Sequence, residues 1–253
     1  MFPLKDNIPT GRTPVVTIAL ILVNVVAYFA WQRGGLTLGS PDSCHYLRNL
    51  FEYGVVPKEI TDSSFHLSGS LGAGCGSVGA DQPSTWITPI TAMFMHGGLL
   101  HLGGNMLFLW IFGNNVEDAM GSVKFVVFYL LGGVAAFALQ IVIDTGSTAP
   151  NIGASGAIAA VLGGYILLYP RARVLTFVFI IFFFTIIELP ALIVLGLWFA
   201  EQVVFGATGL TQGGGDGGGV AYFAHIGGFV FGLLAIKLFA DRVKDVPPRL
   251  PVW

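Results

Sequence analysis

Charge is what this chain lacks most. Only 10% of its 253 residues are Asp, Glu, Lys or Arg, while 54% are hydrophobic. Soluble globular proteins carry about 25% charged residues, so this composition excludes an ordinary soluble domain and points to a lipid bilayer as the solvent. The formal net charge is −2, and no basic cluster is dense enough to grip a phosphate backbone, which argues against a nucleic-acid partner. Cysteine is nearly absent as well: Cys44 and Cys75 are the only two. Their spacing fits no zinc motif. No His-Glu-x-x-His run occurs, and no carboxylate near His96, His101 or His225 would complete a hydrolytic zinc site, so metal is not expected. The 35 glycines show no three-residue period, which excludes a collagen-like chain. Inside apolar segments, glycine suits helices that must approach closely in lipid.

Apolar runs at 15–31, 99–112, 125–143, 155–169, 190–205 and 221–239 predict six membrane spans. No cleavage site follows the first run, so it is expected to be retained. The stretch 174–187 is apolar, β-branched and aromatic, and Glu188-Leu189-Pro190 closes it. It reads as an interfacial or re-entrant piece leading into the fifth span, with an extra span as the alternative. With six spans and the N-terminus inside, nine of the twelve Lys and Arg residues lie on the inner side, as the positive-inside rule requires. An extra span would put the basic cluster 237–249 on the wrong side. The organisation expected is an N-terminal segment 1–13, a six-span unit 14–240 with a long outer loop 32–98, and a tail 241–253. Cys44 and Cys75 share that loop, where a disulfide is permitted but not demanded by the sequence. The outer segment 206–220 contains the glycine run 213–219, either a linker or a lid beside His225.

Four elements converge on the outer side: the His96–Asn105 segment, the Ser155 motif, His225 and the first loop, which could cover them. Ser155 stands in Gly153-Ala154-Ser155-Gly156 at the head of an apolar helix of about 15 residues. At about 1.5 Å per residue that helix is roughly 22 Å long, shorter than a hydrocarbon core of about 30 Å. Its start is therefore expected below the outer surface, where irregular backbone is tolerated only against a water-filled cavity. The free N–H groups of a helix start favour developing negative charge, which makes the Ser155 N–H a candidate oxyanion donor. On its own the motif could be a plain N-cap. His225 changes that balance, because a serine hydroxyl needs a base and neutral imidazole suits the task. Gly228 and Gly232 follow on the same span, and Gly156, Ala159, Ala160 and Gly163 on the serine span offer a small-residue face for close packing. His101 and Asn105 share one helix face, His96 precedes them across Gly97-Gly98, and such side chains can donate to an oxyanion. No carboxylate is well placed to orient His225, Asp144 and Asp216 being weak candidates in loops, so a Ser–His dyad is expected and not a triad. Glu117 lies at the far end of the second span and is expected to bond a loop there.

These residues resemble a rhomboid intramembrane serine protease over about residues 14–240. The resemblance rests on His96…His101…Asn105, Gly113-Asn114-Asn115-Val116-Glu117, Gly153-Ala154-Ser155-Gly156, Glu188-Leu189-Pro190-Ala191 and Ala224-His225-Ile226-Gly227-Gly228. It implies an all-α six-transmembrane-helix bundle that cleaves transmembrane segments of other membrane proteins without metal or cofactor. It also implies Ser155 as nucleophile and His225 as base, with His96, Asn105 and the Ser155 N–H at the oxyanion, Gly153 shaping that hole and His101 in support. The fifth span and the loop after it would gate substrate. Two departures stand out. Ala159 occupies the position where some members stack a tyrosine on the base, and Trp86-Ile87-Thr88-Pro89 lacks an arginine that some carry. The partners expected are the bilayer and transmembrane substrates, in a bacterial cell membrane with both termini cytoplasmic; oligomeric state is left open. A non-enzymatic rhomboid-like protein that binds membrane proteins is the competing expectation. Such relatives usually lack the serine or the histidine, and both are present here. A transporter is disfavoured because no internal repeat is visible and the polar residues gather at one side.

Overall fold

The computed structural model describes residues 1–71, 74–79, 83–180, 183–211 and 220–246. The chain starts with strand β1 (Phe2–Asp6), then α1 (Val15–Val26), which runs on as a π-type turn over Ala27–Trp31. The long loop follows, with α2 (Cys44–Tyr53), α3 (Pro57–Thr61), the short strand pair β2 (Gly69–Ser70) and β3 (Ser77–Val78), and α4 (Thr88–Thr91). Next come α5 (Leu99–Phe108), a π-type turn Leu109–Gly113, α6 (Asn114–Met120), α7 (Ser122–Ile143) and α8 (Ser155–Leu168). Strands β4 (Arg173–Ile180) and β5 (Phe183–Pro190) precede α9 (Ala191–Thr211) and α10 (Tyr222–Phe239).

The molecule is mostly helical. Among the described residues, three helices are long and apolar enough to cross a membrane, Ser122–Ile143, Ala191–Leu210 and Tyr222–Phe239; Val15–Trp31 and Ser155–Leu168 are shorter apolar helices. α8 is the central post. Every residue from Gly156 to Ile166 is buried, because α7 and α10 pack along it with almost no side chain between the backbones. A Cβ built on Gly228 would lie 2.0 Å from the Gly156 carbonyl oxygen, and one on Gly232 would lie 2.0 Å from that of Ala160.

The stretch 174–187 departs from the expectation of an all-α chain. It is extended chain and not a further helical span. β4 and β5 pair antiparallel, and β1 adds to the other edge of β4 to give the sheet order β1-β4-β5. Its β-branched and aromatic residues favour extended backbone. Phe183, Phe184, Ile186 and Ile187 stay exposed.

The segment before α1 and the segment after α10 meet at Asp118, away from Ser155. The Gly11 N–H donates to Asp118, Arg242 donates to it at 3.2 Å, and Lys244 pairs with its other oxygen. Glu117 accepts from the Val16 and Thr17 N–H groups and from the hydroxyls of Thr17 and Ser122. It therefore neutralises the start of α1, where orphan N–H groups favour an anion. In the long loop, Cys44 and Cys75 are joined by a disulfide. The glycine run 213–219 and the end of the tail, 247–253, lie outside the described residues.

Candidate active site

The backbone ahead of Ser155 is held from outside the bundle. Asn151 exchanges hydrogen bonds with Val55 of the long loop, and the Gly153 N–H donates to the Ala92 carbonyl at 2.9 Å. Gly153 takes φ +128°, a conformation that L side chains rarely adopt. A Cβ there would also lie 2.8 Å from His101 Nε2, so glycine is required on both counts. The chain then turns into α8 with Ser155 as its first residue, whose N–H has no acceptor within the helix.

Ser155 Oγ lies 2.8 Å from His225 Nε2. The two groups expected to form a dyad are thus in hydrogen-bond contact across the tight α8–α10 seam. Both line a cavity of about 600 Å³, together with His101, Asn105 and Gly97. The long loop reaches this cavity too: Leu38, Gly39 and Ser40 lie on its wall, and the carbonyls of Thr37 and Leu38 accept from the first N–H groups of α5.

Of the two further histidines considered for the site, His101 lines the cavity and His96 does not. His101 is on the cavity wall, and its Nδ1 accepts from the Gly97 N–H at 3.1 Å. That acceptor role leaves the proton on Nε2, the nitrogen that faces Gly153. His96 is fully buried behind it, ring centroids 5.2 Å apart. Gln32 clamps the His96 backbone from both sides, donating to its carbonyl and accepting from its N–H. Burial, and then the neighbouring His101, lower the His96 pKa to about 3, so its ring is neutral at physiological pH. Asn105 is buried on the cavity wall, and its Nδ2 has no hydrogen-bond partner among the described residues.

Sequence reasoning missed two residues of α9. Gln202 Oε1 lies 2.7 Å from His225 Nδ1, and the Trp198 ring sits 5.7 Å from the imidazole, tilted 35°. The signal was present. Gln202 is an amide inside an apolar span, and polar groups at that depth are read as functional by default. Trp198 stands four residues before it, on the same face. Of the loop carboxylates considered for this place, Asp144 does not supply the contact to Nδ1, which Gln202 makes, and Asp216 lies outside the described residues.

A Rhomboid domain profile matches residues 83–242. Rhomboid protein 1, mitochondrial, of Saccharomyces cerevisiae is 31% identical over 160 residues, 61% of this chain and 42% of that protein. The mouse presenilin-associated rhomboid-like protein, mitochondrial, is 29% identical over 167 residues, 65% of this chain and 41% of that one. Rhomboid protease GluP of Bacillus subtilis is 38% identical over 78 residues, 31% of this chain and 15% of its own length. The chain spans about four-tenths of the length of the mitochondrial relatives. Those relatives also correct the compartment: a bacterial cell membrane with cytoplasmic termini does not stand against matches that cover most ground in mitochondrial proteins. The profile covers well over half of the residues and includes all of α5 to α10, and on that match the chain belongs to the rhomboid family.

Proposed function

We propose that this chain is an intramembrane serine endopeptidase that cleaves transmembrane segments of other membrane proteins, with six spans contributed by α1, α5–α6, α7, α8, α9 and α10. The observation that carries the reading is the 2.8 Å contact between Ser155 Oγ and His225 Nε2 inside a cavity large enough for an unwound peptide segment. His225 takes the hydroxyl proton as Oγ adds to the scissile carbonyl carbon. The oxyanion that forms is met by the Ser155 N–H, the Asn105 amide and an imidazole N–H. His101 suits that last role better than His96, since His101 lines the cavity while His96 is fully buried and does not reach it. Collapse expels the amine, which takes its proton from His225. Water then attacks the acyl ester by the same route and restores the serine. No step calls for a metal or cofactor.

The compartment proposed is a mitochondrial membrane, following the relatives. The segments around Gly11 and Arg242–Lys244 meet at Asp118, while Ser155 stands at the other end of α8 from Tyr165 and its Asp6 contact.

A serine-reactive fluorophosphonate probe and a panel of transmembrane substrates test the reading. Wild-type protein should be labelled and should cleave, whereas Ser155→Ala and His225→Ala should do neither while still inserting and melting cooperatively. Cleavage by Ser155→Ala at the wild-type rate would remove the nucleophile assignment. A folded wild-type protein inert to probe and substrates would leave a binding role for membrane proteins in its place.

A further inference from the structure

A serine–histidine pair works only when the imidazole carries its proton on the nitrogen facing away from the serine. In water the two tautomers interchange freely, so something must select one. In the site described above, the Ser155 hydroxyl occupies one side of His225 and α9 occupies the other.

The α9 contact is specific in its polarity. Gln202 is 5% exposed, and a buried amide must satisfy both of its ends. Its Nε2 donates to the Trp198 carbonyl one turn back on the same helix at 3.3 Å. The amide oxygen is thereby committed to the other direction, where it meets His225 Nδ1 at 2.7 Å. A carbonyl oxygen only accepts, so Nδ1 must be the protonated nitrogen. Nε2 then carries the lone pair, and it is Nε2 that lies 2.8 Å from Ser155 Oγ. Trp198 closes the arrangement from above. Its half-buried ring packs on the imidazole and on Phe229, in a site where Ala159 offers no aromatic face.

We propose that Gln202, braced by Trp198, is a positioning residue that fixes His225 in the Nδ1–H tautomer and so leaves Nε2 free to take the Ser155 proton. The pair is then a triad in function, with a neutral amide where other hydrolases use a carboxylate. A neutral acceptor suits this place, because an ionised carboxylate in a span is costly. The orienting group also stands on α9, which flanks the cavity through Trp198.

This inference rests on the protease reading, and the experiment separates the two. Full-length protein in detergent micelles is compared with Gln202→Met, which keeps length but has no amide acceptor, and Gln202→Glu, which keeps an acceptor oxygen. Three quantities are read: the rate of fluorophosphonate labelling, kcat and KM on a transmembrane substrate, and the ¹⁵N imidazole spectrum, with the His225 signals assigned by their loss in His225→Gln. Gln202→Met should lower labelling and kcat roughly tenfold to a hundredfold, the worth of one hydrogen bond to a buried polar group. KM should stay within about twofold, because Gln202 is buried and does not line the cavity. Wild type should show an unprotonated His225 Nε2, Gln202→Met a mixture of tautomers, and Gln202→Glu a return of both rate and tautomer. Wild-type rates in Gln202→Met overturn the inference and leave the protease standing. A slower variant with an unchanged imidazole spectrum overturns it too, since the loss would then be structural. If wild type is inert to probe and substrate, the protease reading falls, and the tautomer spectrum alone supports or overturns the role of Gln202.

Discussion

Gly228→Ala tests whether catalysis depends on the closeness of α8 and α10. The added Cβ would stand 2.0 Å from the Gly156 carbonyl oxygen, 3.0 Å from its carbonyl carbon and 3.3 Å from the Ala159 Cβ. The first two neighbours are backbone and cannot rotate away. A carbon–oxygen contact settles near 3.3 Å, so the two helices must part by roughly 1 Å. The dyad bridges this same seam with one hydrogen bond of 2.8 Å, and a further ångström takes it past the distance at which a hydrogen bond persists. A misplacement of about 1 Å costs on the order of 10²-fold in rate, and overpacking costs about 1–3 kcal/mol of stability.

The assay is the second-order rate of fluorophosphonate labelling, with a thermal melt of the same sample. Gly228→Ala should be labelled about 10²-fold more slowly while still melting cooperatively. Gly232→Ala meets the Ala160 carbonyl at the same 2.0 Å, but it lies one turn further from the dyad. It should lose similar stability and less rate. Gly196→Ala adds its methyl to open space and serves as the control. A folded Gly228→Ala protein labelled at the wild-type rate would refute the claim that helix closeness sets the dyad.

Two further outcomes follow from single residues. Gly153→Ala forces an L side chain into φ +128° and against the His101 ring, so cleavage should fall at least tenfold with about 1–3 kcal/mol of strain; an unimpaired kcat in that variant would contradict the placement of His101 beside the nucleophile. Asp6 accepts hydrogen bonds from Tyr165 and Asn115, yet burial raises its pKa from 3.8 to about 6. A raised carboxyl binds its proton more tightly folded than unfolded, so its contribution is present below pH 3.8 and is lost as pH rises through 6. That loss amounts to at most about 3 kcal/mol. Asp6→Asn can keep an acceptor oxygen for both donors and cannot ionise, so its melting temperature relative to wild type should climb between pH 4 and pH 7. A difference that stays flat across that range would show that Asp6 does not titrate there.

The Ser155–His225 contact was legible because small residues mark the seam it bridges. Gly228 and Gly232 at four-residue spacing opposite Gly156 and Ala160 required two backbones in contact, and the structure has that contact. Ser155 and His225 each head a helix on that seam, so their meeting followed from register. The relative places of His96 and His101 were not legible in the same way. Both precede or open α5, and only the Gly97 N–H on His101 Nδ1, with Gln32 gripping the His96 backbone, decides which ring turns to the cavity. Gln202 escaped for a related reason: it reaches the site from a span whose rotation about its own axis is set by packing. Apolar periodicity specifies that rotation poorly when a helix is hydrophobic all round.

The sheet escaped on different physics. An apolar run of some 14 residues beside predicted spans invites a membrane reading, because hydrophobicity registers before backbone preference does. Val174, Val178, Phe177, Phe179, Phe183 and Phe184 favour extended chain, but a strand pair buried in lipid would leave β5 with an unpaired edge, which hydrocarbon does not tolerate. What stabilises the extended form here is a partner 170 positions away in sequence. β1 pairs with β4 through Phe2–Phe177 and Asp6–Val174, and Asp6 then plugs into Tyr165 at the foot of α8. The N-terminal strand thereby ties the sheet to the helix whose other end carries Ser155. No window along the sequence contains both strands, so pattern could supply the preference for extension and only the fold could supply its partner.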